Sequence, residues 1–245
     1  MSTAEFKNEF DILYNNISSN AAPGLDLYEI SVYLTKAQLE IVKEYNGSLN
    51  KYQKGFDGSD KRRIDLKELI RDYKSTNAIV SNNRLTSELQ SKFFEIPSDV
   101  FLIKYESGLY TKHGCSIEID IIPITLDDVN KSKKNPFKQP DKDLAWRVDY
   151  NSITSNTVEI ISTELITMYH LRYLKYPDPI ILTNLSTNEE FSGMNLSIGG
   201  IFIEQTCKLN QELHNEILDR AVELATRDYK ENTLQNKVQL NNRNN

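Results

Sequence analysis

A chain of 245 residues, 39% hydrophobic and 26% charged with a mean hydropathy of -0.52, is long enough to bury a sizeable core and polar enough to be soluble. A formal charge of -6 and a pI near 5.3 argue against gripping duplex nucleic acid, where Lys and Arg must neutralise phosphates. No apolar run approaches the roughly 20 residues that span a bilayer, and MSTAEFKNEF lacks the basic flank and apolar block of a signal peptide, which points to a reducing cytoplasm.

Phe6, Phe10, Leu13, Tyr14 and Ile17 recur at helical spacing and predict a first amphipathic helix, ended by a polar run and Pro23-Gly24. GLDLYEISVYLTKAQLEIVKEYNG, residues 24–47, reads as two helices back to back. Leu25, Leu27, Ile30 and Leu34 stripe the first. Thr35 and Gln38, at capping-box spacing, restart the second, and Ala37, Ile41 and Tyr45 continue its stripe. A polar loop with Gly47, Gly55 and Gly58 covers 46–59. Asp60 is placed to cap KRRIDLKELIRDY, whose Ile64, Leu66, Leu69, Ile70 and Tyr73 form a buried side. Lys61, Arg62, Asp65, Glu68 and Arg71 then fall on the solvated side. The first 75 residues are thus expected to be almost wholly helical.

Near residue 76 the pattern changes. FEIPSDVFLIKYESGLYT passes from a turn into a β-branched and aromatic run that predicts a strand. CSIEIDIIPIT alternates, with Ile117, Ile119 and Ile121 on one face and Glu118 and Asp120 on the other, as in an antiparallel sheet with one wet side. TLDDV opens a short helix or turn, with Thr125 and Asp128 at capping-box spacing and Asp127 and Asp128 suited to a helix start. NKSKKNPFKQPDKDLA reads as a long basic loop. Shorter strands are expected at 145–150, 157–162, 168–176 and 179–183, with Tyr169, Leu171 and Tyr173 sharing a face.

NQELHNEILDRAVELATRDY is the clearest helix, with Asn210 as its cap and Leu213, Ile217, Ala221, Leu224 and Ala225 as its stripe. Small Ala221 and Ala225 allow another helix close, and only the N-terminal helices offer enough apolar surface to be that partner. The expected fold is α+β: a helical bundle from both chain ends, with a mainly antiparallel β-rich insertion. Residues 1–92 form the N-terminal helical layer, 93–206 the β-rich insertion with long loop 131–142, and 207–230 the C-terminal helix on that layer. Residues 231–245 are a polar tail, either frayed or ordered by a neighbouring subunit.

Catalytic motifs are missing from this pattern. His113, His170 and His214 sit on different elements, none with a partner at HxxxH spacing. Cys115 and Cys207 belong to no CxxC pair, and a reducing compartment favours buried free thiols over a disulfide between them, which the sequence leaves open. The chain contains no GxxxxGK[ST], GxGxxG or GxSxG, and Gly199-Gly200 leads into apolar IFIEQTC. Glu118 and Asp120 are the first residues to test for a cation site or a hidden hydrolase, against the simpler reading of a solvated strand face. No cofactor or metal is expected. One patch invites a partner: Lys131, Lys133, Lys134, Lys138 and Lys142 surround Phe137, diluted by Asp141 and Asp143. Such a patch suits nucleic-acid phosphates or an acidic protein surface; the plainer reading is a solvated loop anchored by the Phe.

Taken in order, five blocks resemble the head–tail adaptor, or connector ring, proteins of tailed phages, and above all the ring-forming virion proteins of crAss-like phages with short tails. They are GLDLYEISVYLTKAQLEIVKEY, FFEIPSDVFLIKYE, DIIPITLDDVNKSKKNPFKQP, LAWRVDY and CKLNQELHNEILDRAVELATRDY. The resemblance implies a non-enzymatic virion protein forming a homo-oligomeric ring, a dodecamer, docked beneath the portal protein. It implies a link to downstream tail or ring proteins around the DNA exit channel, with no sequence-specific binding and no membrane. Such a protein is assembled in the host cytoplasm and resides in the neck or tail. Interface residues expected on this reading are Tyr28 and Tyr33, the loop residues Lys131, Lys133, Lys134, Phe137 and Lys138, and Asn232, Leu234 and Val238 in the tail. The alternative is a nucleic-acid-associated packaging or regulatory protein of a phage, acting through the loop lysines.

Overall fold

The computed structural model describes residues 1–18, 24–46, 60–76, 78–79, 89–152, 155–187 and 194–243. Two units divide the chain: Met1–Leu69 with Pro177–Asn245, and Ile70–Tyr176.

The first unit is built on α1 (Thr3–Ser18), α2 (Leu27–Asn46), α3 (Asp60–Asp65) and α5 (Glu212–Arg243). Their apolar stripes form its core: Phe6, Phe10 and Tyr14 of α1, Ile30, Leu34, Ala37 and Ile41 of α2, and Leu213, Ile217, Ala221 and Leu224 of α5 are all buried. Helix α5 packs on α2 and α1. The α2–α5 pairing is antiparallel and carries three polar cross-links. Tyr33 Oη donates to Asp228 (3.3 Å), Arg220 Nε to Glu40 (2.6 Å) and Tyr45 Oη to Glu216 (2.9 Å).

Helix α2 is continuous where two helices were expected. Thr35 lies mid-helix, and its hydroxyl accepts from Ile180 N–H (3.1 Å) and donates to Ile180 C=O (3.3 Å), so it clamps another segment. The capping box sits upstream: Glu29 N–H donates to Asp26 Oδ1 (2.7 Å) while Asp26 N–H donates to Glu29 Oε2 (3.1 Å). A second box, Ser2 with Glu5, opens α1.

The helix expected over 61–73 stops at Asp65; a 3₁₀ turn follows at Lys67–Leu69 and a strand begins at Ile70. Leu66 and Leu69 are buried as expected, but Ile64 is exposed, and Arg62 and Asp65 are buried instead of solvated. Arg62 lies over the Tyr45 ring at 5.3 Å, and Asn210 Nδ2 donates to Asp65 Oδ1 at 2.8 Å. Asn210 thus serves Asp65, and α5 starts two residues later. The polar tail is not a separate segment, since α5 continues to Arg243. Residues 179–183 form no strand; Ile181 makes an isolated antiparallel bridge with Gln205. The expected loop at 47–59 lies outside the described residues.

The second unit holds β1 (Ile70–Ser75), β2 (Ala78–Ile79), β3 (Gln90–Glu95), β4 (Val100–Lys112), β5 (Cys115–Pro123), α4 (Leu126–Ser132), β6 (Leu144–Ser152), β7 (Ser155–Ser162) and β8 (Met168–Lys175). Among the described residues these strands make one eight-stranded sheet in the order β1-β8-β4-β5-β6-β7-β3-β2. All pairs are antiparallel except β5–β6, which runs parallel with Asp120 opposite Leu144. A parallel pair needs a long crossover, and α4 with the segment behind it supplies one. The β4–β5 hairpin turns on His113 and Gly114, at φ 52° and 81°, the type I′ geometry that matches strand twist. One sheet face buries Phe94, Ile119, Ile121, Ile160, Tyr169 and Leu171; on the other, Val129 of α4 packs with Trp146, Val148 and Ile161.

Candidate functional site

The crossover between β5 and β6 presents the basic patch. Thr125 stands at the N-cap of α4 (φ -77°, ψ 148°), but its hydroxyl donates to Asp128 Oδ2 (2.9 Å) and makes no hydrogen bond to the helix backbone. That bond, then Lys131, holds the Asp128 carboxyl below its ordinary pKa. Lys131 belongs to α4 and pairs with Asp128 at 3.5 Å, so the expected loop begins as helix.

Behind α4 the chain is tied down turn by turn. Lys133 N–H donates to Val129 C=O (3.0 Å), Phe137 N–H to Asn135 Oδ1 (3.0 Å) and Lys138 N–H to Asn135 C=O (3.0 Å). Trp146 Nε1–H then donates to Lys138 C=O at 3.1 Å, which fastens the tip to the buried face of β6. The anchor is therefore Trp146. Phe137 is 95% exposed, held outward on a braced loop. Two clefts flank α4: one of about 480 Å³ between Thr125, Asp128, Lys131 and Lys138, and one of about 400 Å³ between Leu126, Lys133, Glu159 and Ile161.

The other residues expected at an interface lie elsewhere. Tyr28 is half-buried against Ile181 and Leu185. Tyr33 is half-buried with its hydroxyl on Asp228; burial, then that carboxylate, pushes its pKa up to about 12. Asn232, Leu234 and Val238 ride on the last turns of α5, with side chains outside the described residues.

Sequence reasoning passed over the segment Met194–Ile203 in the first unit. Gly199 and Gly200, at φ 60° and 81°, turn it back so that Ile198 and Ile201 pair. Leu196, Ile198 and Ile201 pack inward against Ile181 and Leu185, while Met194 (63%), Phe202 (47%) and Ile203 (54%) are exposed. A cavity of about 370 Å³ opens there between Leu185, Leu196 and Phe202. The available signal was an apolar run around a Gly-Gly turn in a stretch without Lys or Arg.

Groups with catalytic potential are scattered. Glu118 and Asp120 are exposed on β5, His113 occupies the hairpin turn, His170 lies 3.8 Å from Asp72, and His214 is buried. Among the described residues no three His, Cys, Asp or Glu side chains converge as a metal set. Both cysteines are free. Cys207 is buried, which pushes its thiol up to about 11, but Cys115 is exposed, contrary to the expectation of two buried thiols. No helix among the described residues is long and apolar enough to cross a membrane. Two surface features stand out among the described residues: a braced aromatic among lysines and an exposed apolar turn.

Comparison with known proteins gives those surfaces a setting. The family described as phage tail ring protein 3/4 matches residues 1–237. Ring protein 4/5 of Bacteroides phage crAss001 is 44% identical over 248 aligned positions covering 99% of both chains. Ring protein 3 of the same phage is 35% identical over 230, covering 92% of this chain and 95% of its own. The chain belongs to the phage tail ring protein 3/4 family of crAss-like phages, as a structural, non-enzymatic component of the virion tail.

Proposed function

We propose that this tail ring protein forms a homo-oligomeric ring, a dodecamer, on the particle axis, joining the portal side of the neck to the tail ring proteins below and encircling the path of the genome. The observation that carries the reading is similarity along nearly the whole chain to two differently numbered ring proteins of one phage. A subunit that resembles two rings of one tail suits a stack of related rings, in which each face meets a relative. The formal charge of -6 suits a channel that lets DNA slide, because an acidic wall does not hold phosphates.

Sedimentation of the purified chain, alone and with the portal and neighbouring ring proteins of its phage, tests this reading. The expected result is a closed oligomer of one mass that binds its neighbours. A small stable dimer indifferent to all of them contradicts it. The lysines of the β5–β6 crossover favour a second reading, nucleic-acid association in packaging or regulation. A gel shift at two salt concentrations separates the two, since phosphate contacts give steep salt dependence; the ring reading expects weak binding at both.

A further inference from the structure

We propose that Phe137 of one subunit docks on the Met194–Ile203 segment of the next copy of this chain. The inference rests on the homo-oligomeric ring reading and names its contact. A head-to-tail ring needs two different, mutually complementary patches on every subunit, and these two features complement each other in shape, polarity and charge.

Phe137 is 95% exposed, yet its backbone is fixed by Asn135 and by the Trp146–Lys138 hydrogen bond. A preorganised aromatic loses little freedom on docking, and such residues dominate binding energy when they enter a dry pocket. The acceptor is the cavity of about 370 Å³ floored by Leu185, Leu196 and Phe202, with Ser186 and Ser197 on its lining. Its space admits a phenyl ring beside Phe202, where aromatic pairs gain beyond area burial. Exposed Met194 and Ile203 on the same segment would cover the ring from outside.

Charge sets the direction of docking. Residues 130–140 carry Lys131, Lys133, Lys134 and Lys138 and no carboxylate. The Met194–Ile203 segment carries no Lys or Arg and is followed directly by exposed Glu204, while Asp178, farther back in the chain, is paired with Lys208 at 2.7 Å. Like patches repel and unlike patches attract, so knob-to-knob and socket-to-socket pairing are both disfavoured, and the head-to-tail sense is selected.

A cysteine pair tests the contact in the full chain. In a Cys115→Ser background, Gln139→Cys, which keeps Phe137 and lies beside it on the braced loop, and Ser197→Cys are prepared separately, mixed, and oxidised gently. Both positions are exposed, so neither change opens the core, and unchanged unfolding midpoints verify this. The expected result is a disulfide-linked dimer in the mixture and not in either variant alone. In parallel, Phe137→Asp should weaken assembly by about tenfold or more, as loss of a buried aromatic anchor does. A mixture that sediments as a ring yet forms no mixed disulfide, or a Phe137→Asp chain that assembles like wild type, overturns the docking pair and leaves the ring reading standing. A chain that stays monomeric overturns both.

Discussion

Glu106 and Arg147 form the most enclosed ion pair among the described residues, Nη1 to Oε2 at 2.5 Å, with side chains 5% and 9% exposed. Tyr169 Oη donates to the other Glu106 oxygen, and burial, then the Glu106 charge, lifts the Tyr169 hydroxyl far above its ordinary pKa. Arg147 Nε also lies 3.0 Å from Asp149. Removing one partner of such a pair leaves an uncompensated charge in the core, whereas replacing both with apolar groups of similar size is often nearly neutral. Arg147→Ala should therefore cost about 3–5 kcal/mol in chemical denaturation, and Glu106→Leu with Arg147→Met much less. His214 gives a pH signature. Its ring is buried, and burial, then the positive Met1 amine 2.9 Å from Nδ1, hold its pKa below the ordinary 6.5, against a hydrogen bond to Leu209 C=O. The unfolded chain binds the proton more readily, so this contribution is intact above pH 6.5 and lost as pH falls toward the lowered folded value. Stability measured across that range should fall less steeply in His214→Gln than in wild type. None of this was visible in the sequence, because Glu106, Arg147 and Tyr169 are brought together only by the pairing of distant strands.

Among the elements, those whose local pattern agrees with their tertiary setting were legible. Ile117, Ile119 and Ile121 alternate with exposed Glu118 and Asp120 because one face of β5 is covered and the other is not. The stripe of α5 was equally plain, since Leu213, Ile217, Ala221, Leu224 and Ala225 are all buried and α5 packs on α2 and α1. Ile70–Ser75 misled. Ile64, Leu66, Leu69, Ile70 and Tyr73 keep helical spacing, but pairing with β8, from Ile70 opposite Leu174 to Ser75 opposite Tyr169, overrides it. Thr35 misled in the opposite sense: its capping spacing is real, but its hydroxyl serves Ile180, a partner 145 residues away. The working cap of α2 is Asp26. Asp26→Ala removes the acceptor for Glu29 N–H and should lower stability by about 1 kcal/mol, read from the denaturation midpoint, while Asp26→Asn should retain most of it.

On the scale of the whole molecule, the chain divides into two units, each with its own buried core. The braced Phe137 was readable as a candidate because lysines frame it, but its anchoring was not, since Trp146 lies on the far side of the crossover in sequence. The apolar turn around Gly199-Gly200 was not readable as a surface, because exposure depends on what the rest of the fold covers. Family membership assigns the tail; the axis, the copy number and the portal side are what an image decides. Electron cryo-microscopy of the intact virion is the most direct measurement. The account predicts density for this chain as a closed ring of identical subunits on the tail axis, its lumen open to the genome. Density placing the chain away from that axis, or as isolated copies on the tail surface, would contradict it.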